Sequence, residues 1–188
     1  MASKIVTNRW EVNVGELISA CAPMETAGLS EGRITPTLYV DGDACPVKDE
    51  VYRVAERHDL DVVVVANRFM VTPRGGRVRL QLVPEGPDVA DDWIAEAIRP
   101  HDVAITADIP LAARCLAKGA AAIGTTGRPF TSASIGSALA SRELMSHLRE
   151  IGEITGGPKS FRPADRSRFL QELEHAIQRA KRSLGTSA

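Results

Sequence analysis

Six aspartates stand where a short apolar run gives way to a turn or to the start of a helical segment. Asp41 and Asp43 follow the run 38–40 in Val40-Asp41-Gly42-Asp43-Ala44-Cys45-Pro46, and Asp108 follows the run 103–106 in Thr106-Ala107-Asp108-Ile109-Pro110. Asp88, Asp91 and Asp92 cluster in a loop and the first turn of the helix after it. If the apolar runs are parallel strands, most of these carboxylates converge on one edge of a sheet. Converging carboxylates repel one another and resist joint ionisation unless a cation holds them. Magnesium and manganese prefer oxygen ligands and tolerate several waters, and two such ions can clamp the attacking and leaving oxygens of a phosphodiester. The expected chemistry is therefore metal-assisted phosphoryl chemistry. Asp41 and Asp108 carry that expectation most directly, because each ends an apolar strand. An aspartate at a helix start also has a simpler role, capping free N–H groups and complementing the dipole. That role is expected for whichever of Asp91 and Asp92 does not hold a cation.

Other side chains fit around that centre. Arg68, Arg74, Arg77 and Arg79 crowd the segment between the second and third apolar runs, around Pro73-Arg74-Gly75-Gly76. An arginine-rich loop beside an acidic site can hold a phosphate backbone, and it can equally be a solvated surface loop. Arg68, Arg74 and Arg77, with Thr106 at its strand end, are the expected substrate contacts. Lys159, Arg162, Arg166 and Arg168 form a second basic group. Thr125, Thr126, Thr131, Ser132 and Ser134 could donate to a phosphate, but capping is the simpler role. The segment Gly124-Thr125-Thr126-Gly127-Arg128 lacks the Gly-Lys-Ser/Thr ending of a phosphate-binding loop. Cys45 reads as a packing residue, and the four histidines lack metal-ligand spacing.

The elements that must position these groups alternate between strand and helix. Strands are expected over 38–40, Val62–Ala66, 78–83, 103–106 and 121–124; the unbroken β-branched second run predicts burial on both faces, whereas the third alternates with polar residues and predicts exposure. Helices are expected from Pro46, over 90–99, over 110–118 with Gly119 as the stop, from Thr131 or Ser134 to about Glu150, and from about Pro163 onward. On these helices Val47, Val51, Val54 and His58, then Ile94, Ala97 and Ile98, then Ile135, Leu139, Met145 and Leu148, and finally Leu170, Leu173, Ile177, Ala180 and Leu184 are placed inward. Trp93 is expected to pack its helix onto the sheet. Such alternation predicts an α/β fold with a mostly parallel sheet, whose ligands bind at the carboxyl ends of the strands.

With 188 residues the chain is long enough for one core, and it divides by pattern into a flexible extension over 1–37 and an α/β domain over 38–188. Three cysteines far apart, without a CxxC pair, predict a reducing compartment and no structural zinc. No apolar run is long enough to cross a bilayer and no signal-peptide pattern opens the chain, so a cytoplasmic protein is expected. A net charge of −1 argues against a nonspecific nucleic-acid coat but is compatible with an enzyme whose acidic site offsets basic patches.

Asp41-Gly42-Asp43-Ala44-Cys45-Pro46, Val65-Ala66-Asn67, Asp88-Val89-Ala90-Asp91, Ile105-Thr106-Ala107-Asp108-Ile109-Pro110-Leu111-Ala112 and Thr155-Gly156-Gly157-Pro158 together resemble the YaiI/YqxD family, which is related to PIN-like nuclease domains. Gly42 departs from an alanine common in that family, a change expected to be harmless in a turn. The resemblance implies a PIN-like three-layer α/β/α sandwich and a carboxylate site for magnesium or manganese. By the matched motifs its acidic residues would be Asp41, Asp43, Asp88, Asp91 and Asp108, with Asp41, Asp108 and Asp91 as metal ligands. The expected activity is a divalent-metal-dependent nuclease acting on nucleic acid, RNA in preference. Two alternatives stand beside it. One is a non-catalytic PIN-like RNA-binding or scaffold module. The other is a phosphatase of the haloacid dehalogenase type, with Asp41 and Asp43 as nucleophile and general acid. Against the latter, Asp91 and Asp92 precede Thr106, and a lysine at the intermediate motif is missing.

Overall fold

Strand β1 (Leu38–Asp41) lies between β2 (Val62–Ala66) and β4 (Val103–Ile105) and runs parallel to both, with Val40 opposite Val64 on one side and Ile105 on the other. The computed structural model describes residues 35–43, 45–73, 76–151 and 161–186. Among them β3 (Val78–Leu82) extends the sheet beyond β2, and β5 (Ala121–Ile123) and β6 (Pro129–Phe130) extend it beyond β4. The order is β3-β2-β1-β4-β5-β6, parallel throughout except for the antiparallel β5–β6 pair. The helices are α1 (Lys48–His58), α2 (Val89–Ala97), α3 (Ile109–Ala117), α4 (Ser132–Glu150) and α5 (Pro163–Thr186).

Alternation along the strands divides the apolar residues between two faces. Leu38, Val40, Val62, Val64, Val103 and Ile105 meet Val51 and Val54 of α1 and Phe169, Leu173 and Ile177 of α5. Tyr39, Val63, Val65, Ala104 and Ala122 meet Ile94 and Ala95 of α2 and Leu111, Ala112 and Cys115 of α3. Every residue of β2 is buried, as its β-branched run requires, and β3 is the half-exposed edge. The result is the three-layer α/β/α sandwich with a mostly parallel sheet. Trp93 packs onto the second face, its ring 6.4 Å from that of Tyr39. Ahead of the sheet, the Thr37 N–H donates to the buried Asp102 carboxylate (2.8 Å), which also accepts the Arg99 N–H (2.9 Å) and so ties the starts of β1 and β4 together. Residues 1–34, most of the expected extension, lie outside the described residues, as does 152–160 with its Gly-Gly-Pro motif.

Two expectations need correction. Helix α1 starts at Lys48 with Val47 at its N-cap, so Pro46 belongs to the preceding turn. Helix α4 buries none of its residues fully: Ile135, Leu139 and Leu148 are half-buried and Met145 is 41% exposed. The physical reason is that α4 packs against α3 instead of the sheet and so sees a helix on one side only. Gly42, the glycine expected to be harmless in its turn, also sits where there is no room for a Cβ. A Cβ there would stand 2.8 Å from Val64 Cγ1 and 2.9 Å from the Val65 carbonyl oxygen, so alanine fits only if β2 shifts. Thr131, by contrast, caps α4 as expected, in a capping box with Ser134.

Strand β6 was not foreseen, because two residues carry no periodicity. Its turn depends on Gly127, whose φ of +77° is one that side-chain-bearing residues rarely adopt. A Cβ there would also lie 2.4 Å from the Phe169 nitrogen and 2.6 Å from the Arg168 carbonyl carbon. Strain and overpacking act together, so Gly127→Ala is expected to lower stability by at least about 2 kcal/mol. Urea unfolding of the two proteins measures this, and an unchanged midpoint at equal slope would show that α5 does not rest on the β5–β6 turn.

Candidate functional site

The sheet order reverses direction at β1: α1 leaves it on one face toward β2, whereas α2 and α3 flank β4 on the other. The crevice outside the carboxyl ends of β1 and β4 is the place where open α/β sheets bind ligands. Asp41 ends β1 there, and Thr106 and Asp108 follow β4. The Thr106 hydroxyl donates to Asp41 Oδ2 (3.1 Å) and accepts the Asp108 N–H (2.9 Å). One buried hydroxyl thus bridges the two strand ends. Asp108 is the N-cap of α3: its Oδ1 accepts the Leu111 N–H (2.9 Å), and Pro110 follows within the first turn. Its other oxygen, Oδ2, is paired with Arg142 of α4 at 3.2 Å.

Asp43 enters from the turn after β1. Its Oδ2 accepts the Asn67 N–H (3.1 Å) at the end of β2, and the Lys48 ammonium holds the same turn through the Gly42 carbonyl (2.8 Å). Asp43 Oδ1 is buried and has no hydrogen-bond partner among the described residues, though the Arg68 guanidinium forms an ion pair with it at 3.5 Å. That ion pair offsets the charge of the oxygen without supplying the hydrogen bond it lacks.

The charges bear on one another. Burial pushes the Asp41 carboxyl above the usual carboxylate range; the Thr106 hydrogen bond opposes this, and the Asp43 and Asp108 charges add to it. Asp91, in the first turn of α2, is pushed up to about 6, first by burial and then by the charges of Asp108, Asp41 and Asp88. Asp41, Asp91 and Asp108 therefore share one electrostatic neighbourhood. Asp88 is at its margin. It is exposed at the N-cap of α2, with left-handed backbone and no side-chain cap bond.

Not every expected residue joins this group. Arg77 lies at the opposite, amino edge of the sheet, held by Asp59 (2.8 Å) and Asp61 (3.3 Å) where β2 and β3 begin, so it is an intra-fold tie set apart from the carboxylates. Arg74 lies outside the described residues. Neither Asp91 nor Asp92 caps α2 with its side chain; Asp92 pairs with Arg114 of α3 at 2.6 Å. Arg166 and Arg168 pair with Glu50 and Asp165. Cys45 is buried and its thiol is pushed up to about 11, which suits packing and not thiolate chemistry. A cavity of about 660 Å³ between α1 and the start of β3, lined by Tyr52, Arg53, Leu60 and Arg77 among others, also belongs to the amino edge.

Sequence reasoning missed Arg142, Lys48 and Asn67 as neighbours of the carboxylates. Asn67 did carry a signal, as the first residue after a fully apolar strand. Arg142 carried none, since it sits mid-helix and 34 residues from Asp108. Among the described residues no three carboxylate, imidazole or thiolate side chains are gathered closely enough to hold a metal ion as they stand. The aspartates face donors instead, with Arg142 on Asp108 and Arg68 beside Asp43. The oxygens at this edge are of the kind a hard divalent ion takes as ligands.

The sign of the pH dependence follows from these shifts. Asp91 is raised from 3.8 to about 6, so between those values the folded chain binds more protons than the unfolded one. Its contribution to stability is present at low pH and is lost as pH rises toward about 6. Asp41 and Asp102 are raised as well and act in the same sense. Without divalent metal the protein is expected to melt at a higher temperature at pH 5 than at pH 7.5. Asp91→Asn should raise the pH 7.5 melting temperature and flatten the pH slope; a lower melting temperature in that variant would refute the repulsion.

Comparison with known proteins places this arrangement in a family. A UPF0178 protein of Rhodospirillum rubrum is 61% identical over 146 residues, covering 77% of this chain and 97% of the relative. One of Azorhizobium caulinodans is 58% identical over 147 residues, 78% of this chain and 92% of the relative. One of Caulobacter sp. strain K31 is 59% identical over 145 residues, 77% and 96% respectively. No solved structure matches the chain. A family model described as "Uncharacterized BCR, YaiI/YqxD family" matches residues 39–179, from the second residue of β1 into α5 and across every carboxylate described above, and the chain belongs to that family.

Proposed function

We propose that this protein is a magnesium- or manganese-dependent phosphodiesterase acting on nucleic acid, RNA in preference. The observation that carries the proposal is the Thr106 bridge, which fixes Asp41 and Asp108 at the strand-order reversal beside Asp91, whose carboxyl is raised first by burial and then by their charges. Asp41, Asp91 and Asp108 would hold the ion, with Asp43, ion-paired to Arg68, in the turn beside them. A bound ion would polarise the phosphodiester and activate the attacking water.

The chain's own residues set up what surrounds that chemistry. Thr106 presents Asp41 Oδ2 in one orientation, and the α3 N-terminus does the same for Asp108. Such supporting hydrogen bonds fix the ligand atoms before a cation arrives. Without a cation, burial and then the charges of Asp108, Asp41 and Asp88 push the Asp91 carboxyl up to about 6, so a bound ion would relieve the repulsion at this position. Arg68 and Arg142 stand beside the carboxylates with exposed guanidinium groups that suit phosphate oxygens.

A second reading, a non-catalytic RNA-binding module, is favoured by those same arginines. They already offset Asp108 and Asp43 without any metal. Calorimetric titration of manganese separates the readings. Saturable heat in the parent protein should vanish in Asp41→Asn and Asp108→Asn. Thr106→Val, which keeps the volume and removes the bridge, should weaken affinity by about 10- to 100-fold. RNA and DNA cleavage assays with manganese then follow the same ranking of variants. Equal manganese affinity in parent and Asp41→Asn, or none in either, would leave the non-catalytic module standing.

A further inference from the structure

Of the aromatic side chains in the described residues, all but one pack into the core. Tyr39 and Phe169 are buried outright, Tyr52 and Phe161 pack against the α1/α5 face, and Trp93 and Phe130 against the α2/α3 face. Phe69 does neither and is 75% exposed. A single exposed apolar residue needs no explanation. This one has a particular setting. Val71, two residues on, is 87% exposed, and Leu82, which ends β3 in register with Ala66, is 43% exposed at the same carboxyl edge. Met70 between them turns inward against the core and fixes the loop beneath its neighbours.

The loop is also joined to the carboxylate site. Asn67 donates its N–H to Asp43, and Arg68 stands 3.5 Å from the same side chain. Phe69 follows directly, its Cα within about 8 Å of that of Asn67 by chain geometry. An exposed aromatic next in sequence to an exposed arginine, at the rim of a site for phosphodiester chemistry, is the combination that proteins use to stack unpaired bases while gripping the backbone. Duplex ends aside, a base already paired and stacked has no free face to offer. We infer that Phe69 is a base-stacking platform, with Arg68 on the adjoining phosphate, and that the nucleic acid bound at this edge is single-stranded. The inference rests on the nucleic-acid reading of the neighbouring carboxylates, but it concerns binding and not cleavage.

Fluorescence anisotropy with a labelled twelve-nucleotide RNA, single-stranded or annealed to its complement, tests it in calcium or in chelator so that cleavage does not intervene. The parent protein should prefer the single strand, and Phe69→Ala should bind it about tenfold more weakly. Phe69→Trp should retain the affinity, and its added emission should be quenched by the oligonucleotide. Since Phe69 is exposed, these variants should melt with the parent. Asp41→Asn should bind without cleaving, whereas a parent protein that binds and stacks the single strand but does not cleave it in manganese would count against the nuclease reading alone. Conversely, cleavage in manganese with no Phe69→Ala effect would overturn the platform alone. Equal binding of duplex and single strand, no RNA binding at all, or a Phe69→Ala effect confined to self-association in sedimentation would each overturn it.

Discussion

A strand paired on both sides and covered on both faces has one place to put a charge, its end. Strand β1 is such a strand: Leu38, Tyr39 and Val40 are buried between β2 and β4, and Asp41 is the first residue able to reach the edge. Its backbone groups are committed to two ladders, and the side-chain alternation is set by two cores. The position of Asp41 is thereby determined by packing far larger than any interaction of the carboxylate itself. The neighbouring strand then delivers Thr106 in register, and the third group, Asp108, arrives because α3 needs an N-cap. Secondary-structure requirements and site geometry are met by the same residues.

What packing places together, electrostatics resists. Burial and mutual repulsion act in one direction on Asp41 and Asp91, and the fold answers with hydroxyl, amide and guanidinium donors on the individual oxygens. These donors hold the carboxylates without neutralising them all. Burial and repulsion together cost stability, and carboxylates perturbed in this way mark a candidate site.

The sequence made the strands, their parallel pairing and the strand-end aspartates legible, because each follows from local pattern: β-branched runs, turn residues and polar residues at run ends. Asp41, Thr106 and Asp108 were found that way. Partners supplied across long sequence separations were not. Arg142 reaches Asp108 only because α4 lies on α3, and no periodicity announces that. Arg77 misled for the related reason that one arginine-rich segment spans the whole length of the sheet, so its two ends serve opposite edges. Phe69 gave no pattern at all, since exposure is a property of what fails to cover a residue. Glu50 is similar: it is buried by Arg53 and Arg166, and only the approach of α5 to α1 makes that tolerable.

Helix α5 is the last of the described elements in chain order, yet it supplies Phe169, Leu173, Ala176 and Ile177 to the core that includes β1 and β2. During synthesis the strands and α1 leave the ribosome well before their cover does. For that interval one face of the sheet can be shielded only by α1, and Leu38, Val40, Val62 and Val64 are among the residues left wanting a partner. The nascent chain therefore passes through a stage with exposed apolar sheet surface, where association with other chains competes with folding. Burial of that sheet face waits for α5, which supplies the side chains that cover it.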